Sequence, residues 1–269
     1  MNIPMRHTAL VLAGTRPGGD PLAAYAGVSH KALIDVGGEP MLLRVLRALA
    51  AAPTVGRIVV AIDRADVLAG FPDLGKEVTL LPAASGPSAS VAAALAREGT
   101  PLLVTTADHA LLQAEWIEEL LATAARDTTA DALLGLARSE AVLAAAPGTQ
   151  RTWLRFKDGA YSGCNLFLLR TPATLGIVRL WQQLEAERKR PLTLLRRLGF
   201  SYALRYRLGW LSLAQALARL GRLAGARLAP VVLSDGRAAI DVDKPQDLDL
   251  VRELVARSQA EAPRAGESR

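Results

Sequence analysis

Short aliphatic runs alternate with longer stretches of helical periodicity along most of the chain. The runs predict strands at residues 8–12, 57–62, 78–81, 101–106, 131–137, 165–170 and 231–233. Helical spacing or capping signals predict helices at residues 40–51, 88–97, 115–125, from about 172, and 246–255. Strands that alternate with helices indicate βαβ units. We therefore expect a three-layer αβα sandwich with a mostly parallel, Rossmann-like sheet covered on both faces.

Length and composition favour a single globular domain. The chain has 269 residues, of which 51% are hydrophobic. We expect one domain over residues 1–258, a basic helical insertion at about 185–227 and a disordered tail at 259–269. No apolar run reaches the roughly 18 residues that span a bilayer, and no signal-peptide pattern is seen. Because Cys164 is the single cysteine, no internal disulfide can form, and we predict a cytoplasmic protein.

The positive charge is concentrated in one segment. Residues 188–227 contain ten Lys or Arg and no acidic residue, and the rest of the chain carries 22 basic against 26 acidic residues. This argues against nucleic-acid binding and for one local basic surface. Either the segment is an ordinary helical subdomain with solvated basic faces, or its interleaved aromatics contact an anionic membrane or a lipid-linked phosphate. The second reading would place the protein peripherally at the inner membrane surface.

The loop after the first strand is rich in glycine and carries cations. Glycines let backbone N–H groups approach phosphate oxygens, and Arg16 and Lys31 could neutralise a triphosphate. The alternative is a flexible surface loop. The spacing is neither that of a P-loop nor the G-x-G-x-x-G of dinucleotide-binding folds, which disfavours a nicotinamide dehydrogenase.

Two further loops are expected at the same edge of the sheet. Residues 83–90 are mostly Ser, Gly and Ala, whose small side chains leave room for a flat base; the alternative is a capping segment with Ser88 at the helix N-terminus. Residues 107–110 follow the next buried strand. Ligands of such sheets bind beyond the carboxyl ends of the strands, so the loops predict one site.

Acidic residues in two distant parts of the chain suggest a metal site. Asp108 ends a buried strand, where an unpaired acid is costly. Asp241 and Asp243 lie two residues apart on one face of an extended segment. Because Mg²⁺ takes one or two carboxylates plus phosphate oxygens, we expect Asp108 and Asp241 to hold Mg²⁺, with Asp243 competing for the second position. The alternative is a turn with capping acids, and Asp247 suits a helix cap.

Several of these motifs together resemble a known family. The strand, the Leu-Ala-Gly loop, the arginine, the downstream lysine, the stretch Gly-Gly-Glu-Pro-Met-Leu and the closing pattern Asp-x-Asp-x-Pro-x-Asp-Leu resemble the nucleotidyltransferases related to molybdenum-cofactor guanylyltransferase. The resemblance implies a fold of the nucleotide-diphospho-sugar transferase type. It also implies transfer of NMP from an NTP to a phosphorylated small molecule or lipid precursor, with release of pyrophosphate.

The resemblance assigns roles to individual residues. The catalytic set is Arg16, Lys31 and Asp108, with the two cations at the reacting α-phosphate. The nucleotide-binding set is Ala13, Gly14, Thr15, Gly18, Gly19, Ser85, Gly86, Ser88 and Ser90. Arg151 and Asn165 are expected to bind the acceptor. This chain departs from the family in having about ten extra residues before the lysine.

Two other functions remain open. A glycosyltransferase of the related GT-A type usually carries Asp-x-Asp at the metal strand, where this chain has Asp108-His109-Ala110. A non-catalytic, membrane-surface protein that binds nucleotides would bind an NTP without releasing pyrophosphate. No nucleophilic Ser/His/Asp set is needed, because a phosphate acceptor is already ionised. The sequence leaves the base, the acceptor, the pathway and the oligomeric state undetermined.

Overall fold

The computed structural model describes residues 6–15, 18–187 and 199–261. Ten strands are found there: β1 His7–Leu12, β2 Asp35–Val36, β3 Glu39–Pro40, β4 Val55–Ile62, β5 Glu77–Pro82, β6 Leu102–Thr106, β7 Ala132–Arg138, β8 Leu154–Phe156, β9 Gly159–Leu169 and β10 Leu228–Val232. The α-helices described are α1 Pro21–Tyr25, α2 Met41–Ala51, α3 Pro87–Glu98, α4 Ala114–Arg126, α5 Ser139–Ala145, α6 Thr174–Glu187, α7 Phe200–Arg207, α8 Leu213–Ala224 and α9 Pro245–Glu261. Short 3₁₀ turns lie at Lys31–Leu33, Ala65–Leu68 and Gly236–Ala239.

Eight strands form one mixed sheet in the order β10-β7-β9-β6-β1-β4-β5, with β8 paired to β9. The block β5-β4-β1-β6 is parallel throughout, while β9 runs antiparallel to both of its neighbours β6 and β7. The parallel block brings the carboxyl ends of β1, β4, β5 and β6 to one edge of the sheet. The prediction of a mostly parallel αβα sandwich is therefore confirmed.

Both faces of the sheet are buried, as expected for parallel strands. In β1, Ala9 and Val11 pack into one core, and Leu10 packs into the core on the opposite face. The larger core contains the apolar faces of α2, α4 and α9. The other core contains those of α3 and α6. Removing a large side chain from either core, such as Leu46 of α2, would cost about 2–5 kcal/mol.

Strand β9 begins six residues before the predicted strand at 165–170 and contains a bulge. Leu134 pairs with Phe167 and Leu136 pairs with Gly163, so β9 holds two extra residues opposite Gly135. Asn165 lies in this bulge with φ of 47°, a left-handed conformation that is uncommon outside glycine. The bulge interrupts strand periodicity, which is why the sequence pattern did not reveal the first half of the strand.

Two predictions about helix ends are revised by the structure. Ser88 is not the N-cap of α3: Gly86 occupies that position, and Ser88 lies buried inside the first turn. The last helix α9 continues to Glu261, three residues into the stretch expected to be disordered. Residues 262–269 lie outside the described residues, as does the first part of the predicted basic insertion, residues 188–198.

The described part of the basic segment consists of two helices. Helix α7 has no buried residue, and α8 begins at a capping box in which Ser212 and Gln215 exchange hydrogen bonds. Leu213 and Leu217 of α8 pack with Leu136 and Tyr161 in a third, small core against the sheet. Within the described residues, no helix is long and apolar enough to cross a membrane.

Candidate active site

A cleft of about 770 Å³ opens at the carboxyl edge of the parallel strands. It lies between the loops that follow β1, β5 and β6, as the sequence predicts. The predicted site residues that line it are Ala13, Gly14, Thr15, Lys31, Ser85, Gly86, Ser90, Asp108 and Asp243. The predicted residues Gly18, Gly19, Ser88, Arg151, Asn165 and Asp241 do not line it, and Arg16 lies outside the described residues.

The loop after β1 packs tightly against the loop after β5. A Cβ atom added to Gly14 would lie 2.9 Å from the side chain of Ala83, closer than real Cβ contacts allow. Glycine at position 14 therefore lets the walls of the cleft meet at their base. Farther along, Gly18 and Gly19 have φ of 94° and 88°, in the region that favours glycine, and their Cα positions face open space.

A residue that sequence reasoning missed, Asp63, anchors this loop. The backbone N–H and the hydroxyl of Thr15 donate to the two carboxylate oxygens of Asp63, at 3.0 and 2.7 Å. Burial alone would raise the pKa of Asp63, but hydrogen bonds from Thr15 and His30 lower it to about 2. Asp63 directly follows β4 as Asp108 nearly follows β6, so the rule that singled out Asp108 could have found it.

His30 connects this anchor to Lys31. The ring is buried, and its Nδ1 accepts the backbone N–H of Ala32 at 3.1 Å, so the proton of the neutral ring is on Nε2. Nε2 lies 3.3 Å from Asp63 Oδ1 and 3.2 Å from the Thr15 hydroxyl. These contacts cap the 3₁₀ turn that begins at Lys31 and orient it into the cleft. His30 is thus a structural residue of the site.

Lys31 lies between two carboxylates that are far apart in the sequence. Its Nζ donates to Asp108 Oδ2 at 2.8 Å and to Asp243 Oδ1 at 3.2 Å. Burial would lower the pKa of Lys31, but the two acids raise it overall, so the side chain stays an ammonium ion. The backbone N–H of Val242 donates to the Asp108 carbonyl at 3.1 Å, which fixes the distant segment beside the strand end.

Asp241 belongs to a separate, more buried cluster. Arg151 forms an ion pair with its carboxylate and donates to its backbone carbonyl at 3.2 Å. Asn165 Nδ2 donates to Asp241 Oδ2 at 2.6 Å, made possible by the bulge in β9. Burial raises the pKa of Asp241, with Arg151 opposing and Asp108 and Asp243 adding to the rise. The two residues predicted to bind the acceptor are therefore both engaged with Asp241.

Asp247 acts as a helix cap, as predicted. Its Oδ2 accepts the backbone N–H groups of Asp243 and Lys244 at 3.2 and 3.0 Å, at the start of α9. An acid at the third helical position that reaches back to the N-terminus is typical of a capped helix. The contact also fixes the backbone of Asp243 beside Lys31.

The Ser/Gly loop is organised by its serines. The hydroxyl of Ser90 accepts the backbone N–H of Ala84 at 3.0 Å and shapes the loop, while Ser85 is exposed in the cleft. Buried Ser88 donates its hydroxyl to Oε2 of Glu185, a residue of α6 that lines the cleft. Glu185 was missed because nothing in the sequence indicates that a helix a hundred residues away reaches this loop.

The remaining nucleophile and base candidates are structural. His109 is buried and stacks on Trp116, with ring centroids 5.9 Å apart, and burial lowers its pKa to about 4. Cys164 is buried next to the Asp241 cluster, and burial raises its pKa far above the usual range. A neutral imidazole inside the core and a buried, protonated thiol are poorly suited to act as a base or a nucleophile.

Comparisons with known proteins identify the family of this chain. The family model for the MobA-like NTP transferase domain matches residues 9–222. A hypothetical transferase from Thermus thermophilus is 32% identical, with a TM-score of 0.78 over 91% of this chain and 100% of that chain. No curated protein sequence matches.

Two more distant structures share the fold. CMP:2-keto-3-deoxy-manno-octonic acid synthetase, complexed with CTP, has a TM-score of 0.57 at 16% identity, over 94% of this chain and 99% of that one. The 4-diphosphocytidyl-2C-methyl-D-erythritol synthase from Anaerococcus prevotii has a TM-score of 0.52 at 10% identity, with the same coverage. On the family match, this chain belongs to the MobA-like NTP transferase family and is a nucleotidyltransferase that uses an NTP substrate.

Proposed function

We propose that the protein transfers NMP from an NTP to a phosphorylated acceptor in a Mg²⁺-dependent reaction that releases pyrophosphate. The observation that carries the proposal is Lys31 held between Asp108 and Asp243 at the edge of the cleft. The opposite wall is the small-residue loop at 84–90, which suits a flat base. Charge for the phosphates and space for the base thus lie within one cleft.

The residues around Lys31 fit a magnesium ion. Oδ1 of Asp108 and the hydroxyl of neighbouring Thr106 are buried and have no hydrogen-bond partner among the described residues. Among the residues that the structure describes, no group of three or more His, Cys, Asp or Glu is arranged to bind a metal. Mg²⁺ needs only one or two carboxylates when phosphates and water complete its shell. Asp108 and Asp243 would hold the ion, which neutralises charge on the phosphates when bound.

This chain's own residues position the reactants. An oxygen of the acceptor phosphate attacks the α-phosphorus, a P–O bond forms, and the bond to the bridging oxygen breaks as pyrophosphate leaves with the electron pair. Lys31, and Arg16 as the resemblance implies, stabilise the charge that develops on the α-phosphate. The acceptor phosphate is already ionised, so no general base is required.

Glu185 is proposed to select among bases. A carboxylate accepts hydrogen bonds and donates none, so it favours a base with an amino group at its edge and disfavours uracil. One of its oxygens already accepts from Ser88, which holds the side chain at the wall of the cleft. Guanine, cytosine and adenine remain candidates.

For the acceptor we propose a phosphorylated small molecule or lipid precursor. Arg151 and Asn165 remain the proposed acceptor residues, although their side chains contact Asp241. An acceptor role would require one of them to exchange that contact for the substrate's phosphate.

The experiment that tests the proposal measures pyrophosphate release with Mg²⁺, each of the four NTPs, and a panel of sugar, polyol and lipid phosphates. We expect acceptor-dependent release from one NTP, and its loss on removal of Mg²⁺ with a chelator. NTP binding with no release from any pair would support a non-catalytic nucleotide-binding protein. Release of a nucleoside diphosphate from a sugar nucleotide would instead support the GT-A glycosyltransferase.

A further inference from the structure

The helix α7 is held to the protein by one side only. Tyr202 accepts a hydrogen bond from Arg222 at its hydroxyl, 2.6 Å away, and Tyr206 accepts the backbone N–H of Arg155 at 3.2 Å. The ring of Tyr206 also packs edge-on against Phe156, with centroids 5.5 Å apart. These contacts fix which face of α7 points inward.

The opposite face is apolar and exposed. Phe200, Leu204 and Leu208 follow one another at four-residue spacing, which places them on one stripe of the helix. Phe200 is 70% exposed, and Leu204 and Leu208 are each 46% exposed. Trp210, two residues beyond, is 63% exposed. Large apolar side chains that gather on one exposed stripe mark an interaction surface.

A cation borders this stripe. At 3.6 residues per turn, Arg207 projects beside Phe200 at one edge of the stripe. Arg205, on the other side, is turned toward the protein and donates to Gln215 of α8 at 2.9 Å. The wider segment 188–227 contains ten Lys or Arg and no acid. An apolar stripe with Trp and Phe in such a basic segment is the pattern of helices that lie in a membrane interface.

We propose that α7 docks the enzyme on an anionic lipid bilayer, with Phe200, Leu204, Leu208 and Trp210 inserted at the level of the head groups. Membrane contact is one of the two interpretations of residues 188–227 that the sequence leaves open, and the exposed stripe of α7 favours it and places it at this helix. Charge complementarity favours this partner, because two copies of so basic a segment would repel each other, and nucleic acid offers nothing for the apolar stripe. The proposal goes beyond the proposed transfer reaction and does not depend on it.

The test is co-sedimentation of the full chain with phosphatidylcholine vesicles, with and without 30% phosphatidylglycerol, at low and high salt. We expect binding to the anionic vesicles only, weakened by salt. The variant Phe200→Ser/Leu204→Ser/Leu208→Ser should bind at least about tenfold more weakly. Arg207→Gln should bind about fivefold more weakly. The control Leu143→Ser/Leu175→Ser, at exposed leucines of α5 and α6, should bind like the wild type.

Tryptophan fluorescence gives a second, direct readout. Trp210 should shift to shorter wavelength when anionic vesicles are added, and Trp210→Phe should abolish the shift while the protein still sediments with them. Equal binding by the stripe variant, or no binding to anionic vesicles, would overturn the proposal. So would concentration-dependent self-association that disappears in the stripe variant, since a second copy would then cover the face. Circular dichroism confirms that each variant is folded.

Discussion

Two carboxylate clusters lie side by side at the edge of the sheet, and they are built differently. In the cleft cluster, Asp108 and Asp243 share one lysine, and Oδ1 of Asp108 has no partner among the described residues. In the buried cluster, Asp241 is enclosed by Arg151 and Asn165. The first leaves charge and hydrogen-bonding capacity for a ligand, whereas the second satisfies its own. We infer that the first serves the reaction and the second holds the site together.

The largest effect is expected from Asp108→Asn. The change removes a carboxylate that would hold Mg²⁺, so the rate of pyrophosphate release should fall about a thousandfold. The free energy of unfolding should change by less than about 1 kcal/mol, because Lys31 keeps Asp243 as its partner. A matched control is Asp66→Asn, which alters an exposed acid outside the cleft. Loss of stability without loss of rate would assign Asp108 to the scaffold.

Arg151→Met should have the opposite effect, a large loss of stability with a small loss of rate. It leaves the buried carboxylate of Asp241 without its positively charged partner, so we expect the free energy of unfolding in urea to fall by about 3 kcal/mol. The rate per folded molecule should fall by less than tenfold. Arg64→Met removes an exposed pair with Asp66 and should leave the free energy of unfolding nearly unchanged. An unchanged stability with a raised acceptor KM would instead support the acceptor role predicted from the sequence.

The cleft cluster could largely be predicted from the sequence, whereas the contacts of the buried cluster could not. Strands β1, β4 and β6 are predicted because parallel strands buried on both faces read as aliphatic runs. The edge where their loops meet follows from the alternation with helices, and with it the places of Lys31 and Asp108. Local pattern was sufficient for these residues.

The hidden part depends on contacts between distant segments. The sequence favoured Asp241 over Asp243 for the second magnesium position, whereas Asp243 lines the cleft. The placement of Asp241 depends on Arg151 and on the bulge that turns Asn165 inward. Glu185 reaches the Ser/Gly loop only because α6 packs beside α3. Such pairings are tertiary, and no spacing within a single segment encodes them.

Glu185→Gln tests how far the cleft itself selects its substrate. The amide presents a donor where the carboxylate only accepts, so the ratio of kcat/KM for the preferred NTP over UTP should fall about tenfold. Ser88→Ala removes the hydrogen bond that holds Glu185 at the cleft wall and keeps the carboxylate. The same ratio should therefore fall in Ser88→Ala, but by less than in Glu185→Gln. An equal change for all four NTPs in Glu185→Gln would show that Glu185 only shapes the loop.

The smallest effect is expected at Asp63, which anchors the loop after β1. The pKa of Asp63 is lowered to about 2, so its hydrogen bonds stabilise the fold above about pH 4 and are lost as the pH falls toward 2. Because the side chain is 39% exposed, we expect only about 1 kcal/mol. The difference in unfolding free energy between wild type and Asp63→Asn should shrink as the pH falls from 6 to 2. If the difference in unfolding free energy does not change with pH, Asp63 contributes through packing and not through its charge.

The most direct test of the account compares Asp243→Asn with Asp241→Asn, measuring pyrophosphate release per folded molecule and the free energy of unfolding for both. The account predicts that Asp243→Asn lowers the rate about a hundredfold at nearly unchanged stability. Asp241→Asn should cost about 2 kcal/mol of stability, because buried Arg151 keeps only its longer ion pair with Asp247, at 3.9 Å, and should retain at least a tenth of the rate. The reverse result, a stable and inactive Asp241→Asn beside an active Asp243→Asn, would contradict the division between the two clusters.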